Sequence, residues 1–285
     1  MSRVADVARG ENEKRSMRQS GPRLPPLTPV ARETVQEKVY GELREALMRG
    51  RFAPGAAVTL RGLADALGTS PMPIRAALHQ LVAEQALVVR PNRTVIVPRL
   101  TAERFNEIRH IRVALEGMMT GEAARKIAPA DIERLSKAYE AMDAAVAKEQ
   151  VPVYLSKNQE FHFTIYRAAQ MPSALRLVEN LWMQVGPVLN FLLARENARP
   201  SLYLSRSDGV FQKYHRAALV ALRRRDAAAA RQSIADDINE AADFLLTTSH
   251  FATPTDEPEG ERHAAGLRGR RRQGAAGDKP LAAGR

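Results

Sequence analysis

The 285 residues suffice for one large domain or two ordinary ones, and 45% hydrophobic with 26% charged residues is typical of a soluble globular protein. No run approaches the roughly 18 consecutive apolar residues that span a bilayer, and the first ten residues lack the apolar segment of a secretory signal. Cysteine is absent, which excludes disulfides and thiolate metal sites, so we expect a cytoplasmic protein that does not enter membranes.

The net charge of +11 is unevenly distributed. The first hundred residues hold 16 basic and 9 acidic side chains, a balance of +7, whereas residues 101–248 hold 20 and 18. A basic front end suits contact with a polyanion, and the near-neutral middle indicates a different task. Both chain ends are polar, contain Pro and Gly and lack apolar periodicity. We therefore predict four segments: a disordered basic arm (1–30), a small basic domain (31–100), a helical domain (101–248) and a disordered tail (249–285).

Three helices are predicted at the start of the basic domain. Gly50 is expected to end the first helix, Thr59 to cap a short second helix, and Gly68 to stop it. Ser70 is expected to cap the third helix, with Pro71 at its first position, where a missing N–H costs nothing. The first helix is predicted from apolar side chains at helical spacing: Val35, Val39, Leu43 and Leu47.

The third helix is predicted to have a buried and an outer face, and a β-hairpin follows it. The short apolar runs 87–89 and 95–97 flank a basic turn at 90–94, which is typical of a β-ribbon. This order of elements is that of a winged helix-turn-helix, in which a helix enters the major groove and a charged hairpin grips the backbone. The alternative is a small α+β domain with a solvated hairpin. The predicted buried face comprises Ile74, Ala77, Leu78 and Leu81, and the outer face Met72, Arg75, Ala76 and His79.

Five short stretches stand out in this domain: residues 50–55 (GRFAPG), 63–70 (LADALGTS), 73–78 (PIRAAL) and 81–87 (LVAEQAL), followed by 91–93 (PNR). In this order and spacing they closely resemble the GntR family of bacterial regulators. The middle of the chain resembles the FCD effector domain of the FadR subfamily, through 112–117 (RVALEG), Phe161-His162 and His215 in that order. The resemblance covers about residues 34–248.

The GntR resemblance implies which residues contact DNA. Arg61 stands where the family has an arginine at the start of the second helix, and Ser70 and Arg75 stand at the turn and in the third helix. The wing contact falls at Asn92 and Arg93. Taken alone, these arginines would be solvated surface residues.

Three positions depart from the family pattern. Pro71 stands where an arginine usually follows the turn serine, so one base-reading donor is missing and the family's operator sequence cannot be assumed. Gln85 and Thr94 replace two glycines, which affects local turn geometry. The resemblance therefore implies sequence-specific DNA binding without giving the operator.

Only helical periodicity is evident from Thr101 to Thr248, which predicts an antiparallel all-α bundle whose ligand sites form from inward-pointing side chains. Pro187 is expected to kink the fourth of its helices. The fold class is therefore mainly α: a winged helix-turn-helix followed by an antiparallel helical bundle. The predicted helices are 101–126, 129–148, 152–169, 173–195, 206–224 and 226–246.

Four polar residues of the bundle form a candidate metal site. Asn158 and His162 are four residues apart and so share a helix face. In metal-binding FCD proteins, such a pair joins two later histidines 22 residues apart, and here those places hold His215 and Asp237. A nitrogen and oxygen set of this kind suits Zn, Ni or Mn, with open positions for a bound carboxylate. The alternatives are a core histidine at position 162 and a solvated helix face at Asp237.

Arg112 is a candidate partner for the carboxylate of an effector. An equally acceptable interpretation is a salt bridge to Glu116, four residues along the same helix.

These features together predict a ligand-responsive transcriptional regulator, which we expect to be a repressor. A single recognition helix reads only a few base pairs, so a homodimer on a short palindromic operator is expected, with an organic acid as effector. A metal-dependent hydrolase and a non-specific nucleoid protein are the alternatives. We do not expect an enzyme, because neither an HExxH-type metal motif nor a Ser/His/Asp arrangement is present in the sequence.

Overall fold

The computed structural model describes residues 34–193, 210–248 and 251–252. The predicted arm at 1–30 and nearly all of the predicted tail lie outside these residues. The described part is mainly helical with one small sheet, which confirms the predicted fold class. No helix within it is long and apolar enough to cross a membrane.

From Thr34 onward, the N-terminal region consists of three helices and a three-stranded antiparallel sheet in the order β1-β3-β2. Ile96 of β3 lies opposite Ala57 of β1 on one side and Val88 of β2 on the other. The sequence predicted only the β2–β3 hairpin, because β1 is two residues long and pairs with a distant segment. The elements are α1 (Val35–Met48), β1 (Ala57–Val58), α2 (Leu60–Leu67), α3 (Pro71–Ala83), β2 (Val88–Val89) and β3 (Val95–Ile96).

The helix ends follow the predicted capping residues with one correction. The Thr59 hydroxyl accepts the Gly62 N–H at 3.1 Å, and Gly68 ends α2 in the left-handed conformation (φ 61°). Ser70 occupies the N-cap of α3, but its side chain makes no capping hydrogen bond. The third position of α3 is Pro73, which has no N–H to offer, so the usual partner of a capping serine is missing.

The predicted helix faces are confirmed on α3 and corrected at the start of α1. Val35 is 57% exposed, so the buried stripe of α1 starts at Val39. On α3 the buried residues are the predicted ones: Ile74, Ala77, Leu78 and Leu81.

The C-terminal region is a bundle of six helices within the described residues. Their ends fall within two residues of the predicted ones wherever both are described, and α7 continues through Pro187 to Leu193. The predicted helix ends at 195 and 206 lie outside the described residues. The helices are α4 (Ala102–Lys126), α5 (Pro129–Ala147), α6 (Val151–Ala168), α7 (Pro172–Leu193), α8 (Val210–Arg223) and α9 (Ala227–Thr248).

Two residues of the predicted tail pack against the start of the bundle. The Ala252 N–H donates to the Leu100 carbonyl at 3.1 Å, and the Phe251 ring lies 5.1 Å from that of Phe105, centroid to centroid. Phe251 is the one aromatic residue of the segment 249–285. This apolar contact holds the chain just beyond α9 against α4.

Candidate functional site

Four polar side chains from three helices of the bundle meet in its interior. Asn158 and His162 project from α6, His215 from α8 and Asp237 from α9. The His215 Nε2 atom lies 2.8 Å from Asn158 Oδ1 and 3.2 Å from His162 Nε2. Asp237 faces both rings, with Oδ2 3.3 Å from His162 Nε2 and Oδ1 3.4 Å from His215 Nδ1. The two histidines are 1% exposed and Asp237 is 7% exposed, so bulk water does not compensate these groups.

The spacing of these atoms fits a divalent cation. Metal bonds of about 2.1 Å place neighbouring ligand atoms about 3.0–3.4 Å apart in octahedral or tetrahedral geometry. Candidate ligand atoms of His162, His215 and Asp237 all lie within 4.8 Å of one another, and Asn158 adds an amide oxygen. Two imidazoles, a carboxylate and an amide suit Zn, Ni or Mn.

The orientation of His162 is fixed from behind by a tyrosine. The Tyr166 hydroxyl lies 3.0 Å from His162 Nδ1 and donates its proton to Glu116 Oε2. Because the hydroxyl has a single proton, its oxygen accepts from Nδ1–H of the histidine. With Nδ1 carrying a proton, the neutral ring offers the lone pair of Nε2 to a metal ion, whereas the protonated ring donates from Nε2 to Asp237.

Glu116 is fully buried and connects this tyrosine to Arg112. The carboxylate accepts from Arg112 Nε at 2.6 Å and from Trp182 Nε1 at 3.1 Å, besides Tyr166. Burial and the Glu116 charge raise the pKa of Tyr166 well above its ordinary value, so the phenol remains a donor. Burial alone would lower the pKa of Arg112, but Glu116 outweighs it and raises that pKa.

The two interpretations of Arg112 are therefore not exclusive. The salt bridge to Glu116 is formed, while the guanidinium also borders the central cavity and lies 4.9 Å from the Trp182 ring centroid. Its Nη1 atom has no hydrogen-bond partner among the described residues. This edge of the guanidinium is free to donate to an anion.

The Asp237 carboxyl is held in its charged form. Burial would raise its pKa, but His215, His162 and Arg112 outweigh that effect and lower it. The residue therefore contributes an anionic oxygen to the site.

A cavity of about 40 Å³ adjoins the four polar residues. A buried water needs about 10–15 Å³ measured in this way, so the space holds only about three waters. A ligand of more than a few atoms must displace parts of the wall. Residues lining it include Arg109, Arg112, Asn158, His162, His215 and Asp237 on the polar side and Phe105, Trp182, Val185, Leu189 and Leu245 on the apolar side.

One helix of the cavity wall, α7, also contacts the N-terminal region. Glu179 forms an ion pair with Arg44 of α1 at 2.7 Å, and Asn180 Nδ2 donates to the Glu84 carbonyl at 2.7 Å. The Glu84 carboxylate in turn accepts from the Tyr40 hydroxyl. Partial burial and Glu84 raise the pKa of Tyr40 to about 12, so this phenol also stays a donor.

Helix α7 approaches the end of α1 closely at Gly186. A Cβ atom there would lie 2.5 Å from the carbonyl oxygens of both Leu47 and Met48, so only glycine fits without movement. Trp182 and Val185, which line the cavity, lie within one turn of this contact. The helix therefore touches the cavity and the end of α1 at adjacent positions.

The residues predicted to contact DNA are exposed and separate from the cavity. The side chains of Arg61, Ser70, Arg75 and Arg93 make no hydrogen bond or ion pair within the described residues. Asn92 is an exception, because its Oδ1 accepts the Thr94 N–H at 3.1 Å and so shapes the wing turn.

Sequence reasoning missed Tyr166 and Trp182, and it considered Glu116 only as a partner of Arg112. Tyr166 follows His162 by four residues, which places both on one face of α6 and was the available signal. Trp182 gave no such signal, because its contact partner Glu116 lies on another helix, 66 residues away in the sequence.

Comparisons with known proteins match both regions. Residues 35–97 match the family model described as bacterial regulatory proteins, gntR family, and residues 107–240 match the FCD domain. The HTH-type transcriptional regulator McbR of Escherichia coli is 33% identical over 155 residues, which cover 54% of this chain and 70% of that protein. A probable D-xylose utilization operon transcriptional repressor of Paenarthrobacter nicotinovorans is 30% identical over 160 residues, 56% of this chain and 70% of the relative.

Solved structures agree with these matches. The structure of E. coli McbR/YncC has a TM-score of 0.68 at 27% identity, and the match covers 76% of this chain and 99% of that one. A GntR transcriptional regulator from Rhodococcus sp. RHA1 has a TM-score of 0.58 at 22% identity, covering 75% and 99%, and supports the fold alone.

Proposed function

Since the chain belongs to the GntR family of bacterial transcriptional regulators, with an FCD domain behind its helix-turn-helix, we propose that it is a repressor controlled by a small organic acid. The acid binds in the bundle cavity and changes the affinity of the winged helix-turn-helix for its operator. The observation that carries this proposal is helix α7, which borders the cavity and packs on α1 within one turn. Such a protein acts on chromosomal DNA in the cytoplasm.

The DNA surface consists of the outer face of α3, the start of α2 and the wing. Arg61 and Arg75 are exposed and hold no partner among the described residues, so their guanidinium groups are available for guanine, the base that arginine reads best. Arg93 at the wing tip suits phosphate contact, which strengthens binding without reading sequence. Ser70 and Asn92 contribute neutral donors beside them.

The metal centre consists of His162, His215, Asp237 and Asn158. Candidate ligand atoms of His162, His215 and Asp237 lie within 4.8 Å of one another, and Asn158 Oδ1 lies 2.8 Å from His215 Nε2, which supports one shared divalent ion. Tyr166 holds the His162 ring from outside the ligand set. A Zn, Ni or Mn ion held there would supply positive charge for binding a carboxylate. Elemental analysis of protein purified without a His-tag tests this: about one ion per chain is expected, and none in His215→Ala. Wild-type protein that holds no ion and reloads none after chelation would refute the metal centre.

The effector is a small carboxylate. Arg112 borders the cavity, and its Nη1 edge has no partner among the described residues, so an acid bound there would lie between this edge and the metal centre. Because the cavity holds only about three waters, a larger acid must push its wall outward. Trp182 and Val185 of α7 are part of that wall. Their displacement therefore moves the helix that carries Glu179 and Asn180.

The coupling is tested by separating effector binding from operator release. Organic acids are screened by thermal shift on metal-loaded protein, since a ligand of the native state raises Tm. An operator is obtained by selection from random duplexes, and its affinity is then measured with and without the acid that raises Tm. Wild-type protein is expected to lose at least tenfold in operator affinity when this acid is present.

The double variant Glu179→Ala/Asn180→Ala is the informative one, and Arg176→Ala on the exposed side of the same helix is its control. The double variant should keep the thermal shift but lose most of the effect of the acid on operator affinity, whereas the control should keep both. A double variant with the full wild-type response would show that α7 does not transmit the signal.

A homodimer completes the proposal. On α4 the exposed residues Ile111, Ala114 and Met118 form one apolar stripe, with Ile111 43% and Met118 39% exposed. A second copy of the same helix across a two-fold axis would bury this stripe and so stabilise a dimer. Light scattering should find a dimer for wild type and a monomer for Ile111→Asp, with Val153→Asp on α6 as an exposed control. A monomeric wild type with full operator affinity would contradict this.

A further inference from the structure

The first turn of α3 carries the most exposed of the exposed large hydrophobic side chains among the described residues. Met72 is 72% exposed, more than Leu177 at 59% or Val35 at 57%. Removing the methionine side chain from water is favourable, because nearly all of its surface is apolar. Because Met72 is mostly exposed, the free protein gains little of this free energy, and most of it becomes available when a partner covers the side chain.

Met72 stands at the head of the face that α3 turns away from the core. Arg75 and His79 follow it on this face at helical spacing and are exposed, whereas Ile74 and Leu78 are buried. In a helix-turn-helix the N-terminal residues of the second helix meet base edges in the major groove. The methionine thus stands where sequence is read.

The chemistry of this turn is apolar. Pro71 and Pro73 have no N–H, so two of the first three residues of α3 cannot donate from the backbone. The nearest cation in the helix is Arg75, one turn further on. The apolar feature of the major groove is the C5-methyl group of thymine, which apolar side chains contact.

We propose that Met72, supported by Pro71, reads thymine methyl groups in the operator half-site, and that Arg75 reads a guanine beside them. This inference rests on the proposed DNA-binding function and concerns its sequence preference. The occupant of the exposed methionine is therefore DNA, in keeping with the exposed cations Arg61 and Arg75 in the same motif.

The probe is the duplex selected from a random library by the full-length protein. Its half-site should contain a conserved thymine next to a conserved guanine. Replacing that thymine by uracil removes one methyl group and keeps the base pair. The loss of one buried methyl should weaken binding about fourfold. Uracil at a non-conserved thymine of the same duplex is the control and should change nothing.

Met72→Ala completes a double-mutant cycle with the thymine-to-uracil change, because each removes one side of the proposed contact. It should bind the thymine operator at least fourfold more weakly than wild type and should not distinguish thymine from uracil. An unchanged Tm is expected, since the side chain is exposed. Pro71→Arg is the complementary variant: selection with it should replace the conserved thymine by guanine, because an arginine then stands at the head of the helix.

Failure of this inference is distinguishable from failure of the proposed function. A selected operator without a thymine at this place, or equal uracil effects in wild type and Met72→Ala, would overturn the reading by Met72 alone. A Met72→Ala variant with unchanged operator affinity would also overturn it, and would indicate that the exposed methionine contacts a protein partner instead of DNA. A selection that enriches no sequence would overturn sequence-specific binding and this inference with it.

Discussion

Polar side chains are buried and hydrogen-bonded around the cavity of the bundle, but they are exposed on the outer surface of the helix-turn-helix. In the cavity region, Glu116 is fully buried and accepts hydrogen bonds from three residues, and His162 is held by partners at both ring nitrogens. On the surface that we propose binds DNA, Arg61 and Arg75 are exposed and hold no partner among the described residues.

This difference indicates where each region obtains its free energy. A buried charge is tolerated only with full hydrogen bonding, so the polar groups around the cavity are part of the folded core. An exposed arginine contributes little to the free energy of folding, and it makes its contacts only when a polyanion binds. Substitutions in the cavity region should therefore change stability, and those on the DNA surface should change binding alone.

The largest effect is expected from Glu116→Ala. This change leaves the Arg112 charge and the Trp182 N–H buried without their acceptor. Breaking a buried pair in this way costs about 3–5 kcal/mol of unfolding free energy. Urea unfolding of the metal-free protein measures it.

The control is Glu107→Ala on the same helix. Glu107 pairs with Arg104, and the two side chains are 59% and 38% exposed, so its loss should cost no more than about 1 kcal/mol. Equal losses of unfolding free energy for the two variants would mean that burial does not decide how much an ion pair contributes to stability.

The next effect concerns Gly186, where the two regions meet. An added Cβ must push α7 away from the end of α1, and overpacking of this kind costs about 3 kcal/mol. Gly41→Ala in α1 is the matched control, because its Cβ would meet nothing within 4 Å and alanine favours the helix by about 1 kcal/mol. Thermal unfolding should thus shift in opposite directions, and a stabilised Gly186→Ala would show that the helices part without cost.

Most of the fold was predictable because its signals are local. Thr59 and Gly68 act within one helix, and apolar periodicity located the six bundle helices that the structure describes. The missed strand β1 depends on pairing Ala57 with Ile96, a contact that no local pattern encodes. The failed cap at Ser70 was predictable in principle, since Pro73 removes the donor that the hydroxyl needs.

The candidate site was predictable to the extent that it follows helix spacing and family resemblance. Asn158 and His162 share a face of α6, and the spacing to His215 and Asp237 came from the resemblance. Their convergence needs the packing of three helices and is visible only in the structure. Trp182 illustrates the limit, since an isolated tryptophan in a helix is first of all a core residue.

On the DNA-facing side, Arg75→Ala and Arg61→Ala should each lower discrimination between operator and random DNA by about 1–3 kcal/mol through loss of a base contact. Arg93→Ala should weaken binding to both DNAs alike and reduce the salt dependence by about one counterion. None of the three should change Tm by more than the scatter of the measurement. Fluorescence anisotropy against both duplexes distinguishes these roles, and equal effects from all three would identify Arg61 and Arg75 as backbone contacts.

The smallest effect, at Gln85, tests whether the stability of the helix-turn-helix can be changed without touching its DNA surface. Gln85 adopts φ 60° just after α3, where the GntR pattern has glycine, and its side chain is exposed. The left-handed conformation costs a residue with a Cβ about 1–2 kcal/mol, whereas glycine loses about 0.5–1 kcal/mol more chain entropy on folding. The balance favours Gln85→Gly by about 0.5–1 kcal/mol, or a Tm rise of about 1–4 °C for a chain of this size. Gln85→Ala removes the same side chain but keeps the Cβ, so it should leave Tm unchanged. Operator affinity should be the same for both variants, and a gain in Tm from alanine equal to that from glycine would place the strain in the side chain instead of the backbone.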